Sequence, residues 1–229
     1  MPDLQIEVLG AEPKAFAAVP LLAFKLRVSE PPSDAAPTAF HSIALQCQIR
    51  IEPVRRRYAP SEQTALFDLF GHPQQWSQSL RSMLWTHAQT VVGSFSGSTT
   101  VELPVPCSYD FNLAATKYFS ALEADDVPLC LLFSGTMFYA DGTGALQASQ
   151  ISWEKEASFR LPVSVWQQMM DHYYPNSVWL RVPRDVFDRL QQYKMRQGLS
   201  TWDQALERLL PAEHPRPEQP QPEQPQAVP

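Results

Sequence analysis

Phe40-His-Ser-Ile-Ala-Leu-Gln-Cys-Gln-Ile-Arg-Ile51 is the longest strictly alternating stretch of this chain. Ile43, Leu45, Cys47, Ile49 and Ile51 fall on one side, and Gln46, Gln48 and Arg50 on the other. A period of two is the mark of a strand with one buried and one solvated face. Sheets of that kind are antiparallel, because parallel sheets are covered on both faces.

The same pattern recurs on either side. Leu4–Leu9 alternates, and in Leu21–Val28 the residues Leu22, Phe24, Leu26 and Val28 share a face. Downstream, Trp85–Phe95, Thr99–Pro106, Cys107–Tyr118, Pro128–Tyr139, Gln147–Trp153 and Ala157–Pro162 read as strands. Ser94–Ser98 and Asp141–Gly144 are turns between them. Pro104 and Pro106 mark Thr99–Pro106 as an edge strand or a bulged one. No strand–helix–strand alternation is present, so the fold class is α+β, mainly an antiparallel β-sandwich.

Helical spacing replaces the β period twice. Between residues 60 and 83, Ser61 is positioned to cap a helix carrying Leu66, Phe67 and Phe70, which Gly71 stops. A second short helix covers Gln74–Arg81. From Pro162 onward Val163, Trp166, Met169 and Met170 form an apolar stripe. Asp185–Gln197 is a further amphipathic helix ended by Gly198. Ser200 or Thr201 caps a last one, with Trp202, Leu206, Leu209 and Leu210 expected on its buried side. The expected organisation is a sandwich over residues 1–161 with its insertion, a helical segment over 162–210 packed on the sheet, and a Pro/Gln/Glu tail over 211–229. The tail's composition cannot bury enough surface to order itself.

Composition narrows the function classes. The 229 residues are 44% hydrophobic with a formal charge of −6, which argues against broad binding to nucleic acid or anionic membrane. No stretch is apolar for the ~20 residues that a membrane span requires, and no signal peptide opens the chain. Cys47, Cys107 and Cys130 are too few and too far apart for a disulfide framework. Together these predict a cytoplasmic protein. Cys107, after Pro104-Val-Pro106, is the cysteine expected nearest the surface.

No catalytic or metal-binding constellation stands out, and no cofactor is expected. His41, His72, His87, His172 and His214 form no pair at ligand spacing. Ser134-Gly135 lacks a nucleophile elbow, and Asp141-Gly-Thr-Gly144 is better explained as a hairpin turn than as a phosphate cradle. Cys107 with His87, and Tyr109 nearby, could form a nucleophile–base pair or a small-molecule site only if the fold brought them together. Val178–Val182 followed by two helices is similar to a ribbon-helix-helix DNA-binding unit, although Arg181 is its one basic ribbon residue. Aromatics anchor interfaces, and six tryptophans are many for one core. The expected contact surface is therefore Arg55, Arg56, Arg57 and Tyr58 with Trp166, Trp179 and Trp202.

Several strings are distinctive: Leu45-Gln-Cys-Gln-Ile-Arg-Ile-Glu-Pro53, Arg55-Arg-Arg-Tyr58, Leu84-Trp-Thr-His87, Leu103-Pro-Val-Pro-Cys-Ser-Tyr-Asp-Phe111, Leu131-Leu-Phe-Ser-Gly-Thr136, Trp153-Glu-Lys-Glu-Ala157 and Thr201-Trp-Asp-Gln-Ala-Leu206. Through them, over about Leu4–Leu210, the chain resembles an uncharacterised bacterial family encoded near nickel–iron uptake hydrogenases. The resemblance brings no catalytic residues and implies only a setting. The expected function is a non-enzymatic accessory protein with a protein partner, such as a hydrogenase subunit or maturation factor.

Overall fold

A computed structural model describes residues 2–32, 37–107, 113–175, 177 and 182–210. The first strands are β1 (Gln5–Pro13), β2 (Leu21–Ser29) and β3 (Ala39–Ile51). After a 3-10 turn at Pro53–Arg55 come three short helices, α1 (Pro60–Ala65), α2 (Phe67–Phe70) and α3 (Trp76–Ser79). Next are β4 (Met83–Val92), β5 (Phe95–Ser96), β6 (Ser98–Pro106), α4 (Leu113–Ser120), β7 (Asp126–Ala140), β8 (Leu146–Gln150) and β9 (Glu156–Pro162). Three helices follow: α5 (Val163–Tyr173), α6 (Arg184–Arg196) and α7 (Trp202–Glu207).

Every strand pairing is antiparallel. One sheet has the order β1-β2-β6. The other has β4-β3-β7-β8, with β5 on β3 and β9 on β7. β3 lies between β4 and β7, and its odd-numbered face is buried from Ile43 to Ile51, as its alternation requires. Leu22, Phe24, Leu26, Val28, Leu103 and Val105 of the first sheet join that face in one continuous core. β6 stands at the end of its sheet, the position where Pro104 and Pro106 leave no ladder bond unmade.

Gly135 has a specific reason to be glycine. Its φ is 140°, and a Cβ there would lie 2.0 Å from the carbonyl oxygen of Ala44 on β3. Along the other edge of β7, β9 pairs up to Leu132 and β8 resumes at Thr136. The gap is bridged by the Phe133 N–H to the Lys155 carbonyl (2.8 Å) and the Ile151 N–H to the Gly135 carbonyl (3.0 Å).

Three local expectations change. The end of the stretch expected as a strand over Cys107–Tyr118 is helix α4, since Ala115, Tyr118, Phe119 and Leu122 are buried at helical spacing. α1 begins one residue before Ser61. Pro60 presets the first helical φ, and the Glu62 carboxylate, not a serine hydroxyl, accepts from the Ala59 N–H at 3.0 Å. The side of α7 expected to be buried is exposed, with Trp202, Leu206, Leu209 and Leu210 all open and Ala205 buried instead. The stop at Gly198 (φ 65°) and the Thr201 cap, whose hydroxyl accepts from the Gln204 N–H at 3.2 Å, are as expected.

The chain divides into two compact units, Met1–Ser177 and Val178–Pro229. α5 thus belongs with the sheets. Its Val163, Trp166 and Met169 are buried, and Gln167 donates to the Leu122 carbonyl at 3.2 Å. α6 and α7 form the described part of the second unit.

Candidate interaction surface

Arg55-Arg-Arg-Tyr58 is not one surface. The 3-10 turn at Pro53–Arg55 sends Arg55 and Arg57 outward, and Arg56 inward. All five guanidinium donors of Arg56 are used. Nη1 and Nη2 meet the two Glu62 oxygens at 2.8 Å each. The rest reach the Arg57, Ala124 and Asp126 carbonyls. Glu62 also accepts from the Glu123 N–H at 3.0 Å. Burial alone pushes its carboxyl up, but the Arg56 bonds and the two backbone donors hold it below the usual carboxylate range. A charge pair so fully satisfied ties the insertion to the loop before β7 and presents nothing to a partner.

Tyr58 belongs to the same interior. Its hydroxyl meets that of Tyr118 at 2.8 Å, and its ring lies under Arg56 at 5.1 Å. Burial, and then the neighbouring Tyr118, drives its phenol upward; burial raises Tyr118 to about 12. Both remain protonated at neutral pH.

The tryptophans also divide. Trp166 is 7% exposed and stacks on Phe119 at 5.3 Å with 13° between the rings. Trp85 is buried against Phe119 and Phe24. Trp76 donates its indole N–H to the Gly71 carbonyl at 3.0 Å. Trp85 and Trp166, through Phe119, thus join helices to the sheets, while Trp76 packs within the helical insertion against Tyr58 and Phe70. Trp202 is open, packed on Phe187 at 5.3 Å with Lys194 over its ring at 5.6 Å. Trp153, which sequence reasoning did not single out as exposed, is 89% exposed in the loop bridging β8 and β9. Its signal was its place beside Glu154 and Glu156 after a strand end. Trp179 lies outside the described residues, as do Tyr109 and the ribbon residues 178–181.

Cys107 and His87 do not meet. Cys107 is buried, correcting the expectation of exposure. Its N–H binds the Pro20 carbonyl (2.8 Å), and its thiol donates to the Val105 carbonyl (3.2 Å). The chain turns inward there because Cys107 continues the β2–β6 ladder by that bond. His87 points outward on β4 beside Gln48. With Gln46, Gln89 and Ser134 it lines a depression of about 450 Å³ on the outer face of the larger sheet. Among the described residues, no three His, Cys, Asp or Glu side chains are grouped to hold a metal ion. No described helix is long and apolar enough to cross a membrane.

Thiol chemistry follows from this placement. Burial raises Cys47 and Cys107 to about 12, while Cys130 is half-exposed and raised by burial and by Glu156. Maleimide should therefore label Cys130 alone in the native protein, with Cys47 and Cys107 reacting only in denaturant; peptide mass spectrometry reads this directly.

Fold and surface together define an α+β protein of two antiparallel sheets with a separate helical unit and exposed aromatic side chains. The chain belongs to a family of unknown function, DUF6084, whose model matches residues 1–218. No curated protein and no solved structure matches it.

Proposed function

We propose that this chain is a non-enzymatic accessory protein that docks on another protein, in the setting of nickel–iron hydrogenase assembly or maturation. The observation that carries the docking reading is the α6–α7 unit. Among its described residues the one buried side chain is Ala205, and Phe187, Met195, Trp202, Leu206, Leu209 and Leu210 are exposed. A pair of amphipathic helices with so little interior of its own is stabilised by covering that face, and clustered exposed apolar side chains mark interaction sites. The hydrogenase setting is supported by the sequence strings that resemble the hydrogenase-associated family. The small-molecule alternative keeps His87 and its glutamine-lined depression but loses Cys107.

Affinity-tagged protein, expressed in a host carrying its own gene neighbourhood and isolated at low salt, should recover a hydrogenase subunit or maturation factor. Trp202→Ala combined with Leu206→Ser should reduce that recovery at least tenfold, as removal of an aromatic anchor does, with unchanged circular dichroism. Recovery of the protein alone would end the assembly reading.

A further inference from the structure

The two sheets differ in the chemistry of their outer faces. On β1, β2 and β6 the outward positions include Glu7, Lys25, Arg27 and Glu102, with Arg27 bonded to Glu7 at 3.1 Å. That is an ordinary solvated face, with charges of both signs interspersed. On the larger sheet the outward side chains run from Ser42 to Gln48 on β3, from His87 to Val91 on β4, from Leu132 to Ala140 on β7 and from Leu146 to Gln150 on β8. About fifteen positions lie in this field, and none is Asp, Glu, Lys or Arg. The chain is 18% charged, so a solvated face of that size would hold several charges. Depletion of charge is the compositional mark of an interface core.

The field has knobs and hollows. Val91 is 70% and Leu146 64% exposed, and hollows of about 450 and 590 Å³ open at Ser134 and Phe138. Gln46 lies opposite Gln89 and Ser134, and Gln48 opposite His87. An amide both donates and accepts, so a glutamine is matched by another glutamine. The described charges stand around the field, not in it. Arg50, Glu156 and Arg160 lie at one end, Asp141 at the other, and Glu154 and Lys155 in the loop after β8. Lys155 is tied to Asp3 at 2.8 Å, and Asp141 accepts from Thr143, Ala145 and Gln147 of its own turn. Each outward residue of a sheet occupies about 4.8 by 6.8 Å, so the field is about 500 Å² of flat area per copy. Two such fields face to face bury about 1,000 Å², the size at which specific interfaces begin.

We propose that this outer face of the larger sheet packs against the same face of a second copy of the chain. A charge-free field offers a charged partner nothing to pair with. It meets its own copy without opposing like charges, and two chains of formal charge −6 approach with least repulsion where acids are absent. The contact is isologous, sheet on sheet. It does not use α6–α7 and stands apart from the accessory-protein reading.

Sedimentation equilibrium of the full chain should show a reversible monomer–dimer equilibrium over about 1–100 μM, as expected of an interface of this size. Gln46→Glu and Gln46→Lys each place like charges in both faces and should raise the dissociation constant by about tenfold or more, with unchanged circular dichroism. Mixing the two variants should restore the dimer, because opposite charges then face each other, whereas a folding defect is not rescued by mixing. A wild type that stays monomeric overturns the proposal. So does a dimer that both Gln46 variants leave intact, or one that Trp202→Ala with Leu206→Ser dissociates in their place, since the contact then lies elsewhere. Recovery of a hydrogenase component tests the accessory reading alone, so the two readings fail separately. A monomeric wild type whose recovery of that component is lost in Gln46→Glu would assign the face to the partner and overturn the second copy.

Discussion

Arg56→Ala should destabilise the sheet-bearing unit by about 3–5 kcal/mol, because it leaves a buried carboxylate without its cation. Natural domains hold only about 5–15 kcal/mol in reserve, so urea unfolding followed by tryptophan fluorescence should show a large fall in midpoint. The Arg56–Glu62 pair is more than a Coulombic contact. It also holds the Arg57, Ala124 and Asp126 carbonyls and, through Glu62, the Ala59 and Glu123 N–H groups. The apolar double variant Arg56→Met with Glu62→Leu should therefore stay below wild type, although isolated buried pairs often tolerate such replacement. Each orphaned buried backbone group costs about 1–3 kcal/mol.

The pair also sets an acid limb. Because the folded Glu62 carboxyl lies below its ordinary value, its contribution is complete above the unfolded-chain value of about 4.3. It is lost as pH falls through the depressed folded value. Midpoints should drop steeply below that range in the wild type and less steeply in Glu62→Gln. A residual slope should persist, because Asp141 is held at about 2 by its bonds to Thr143 and Gln147. Equal slopes in the two proteins would show that the pair does not govern acid stability.

Trp166→Ala should lose about 3–5 kcal/mol, the range for deleting a buried aromatic. Trp166 stacks on Phe119 of α4, which tilts against Trp85 of β4 at 4.9 Å. Trp85 in turn meets Phe24 of β2 at 6.2 Å. This run of rings links α5 and α4 to both sheets, so its first member cannot be removed without leaving a cavity among them. Trp166→Phe should lose less, since a ring still faces Phe119. Denaturant unfolding by circular dichroism gives the stability. Partner recovery at low temperature separates packing from contact. A packing residue lowers the midpoint and leaves recovery intact, whereas loss of recovery at unchanged stability would restore Trp166 to the docking surface.

The strands were readable because a half-exposed sheet writes its burial directly into alternate residues, as Ile43 to Ile51 and Leu22 to Val28 do. Helix ends at Gly71, Gly198 and Thr201 were readable for a similar reason, since caps and stops depend on local backbone chemistry. α4 was misread as strand because the preceding Pro-Val-Pro-Cys run invited continuation, although Ala115, Tyr118, Phe119 and Leu122 carried the helical period.

Side-chain direction in Arg55-Arg-Arg-Tyr58 had no such local signal. Three adjacent arginines are equivalent as letters, and only the Glu62 carboxylate and the carbonyls of Ala124 and Asp126, brought close by the fold, select Arg56 for the interior. Trp166 and Trp202 likewise sit on similar amphipathic helices, yet one stacks inside the ring cluster and the other stands open. Cys107 and His87 looked equally available, until the β2–β6 ladder drew the first inward and β4 turned the second out. Periodicity and capping are properties of neighbours in the chain and can be read from it. Which polar or aromatic side chain is buried depends on partners distant in sequence, and the tertiary structure alone brings those together.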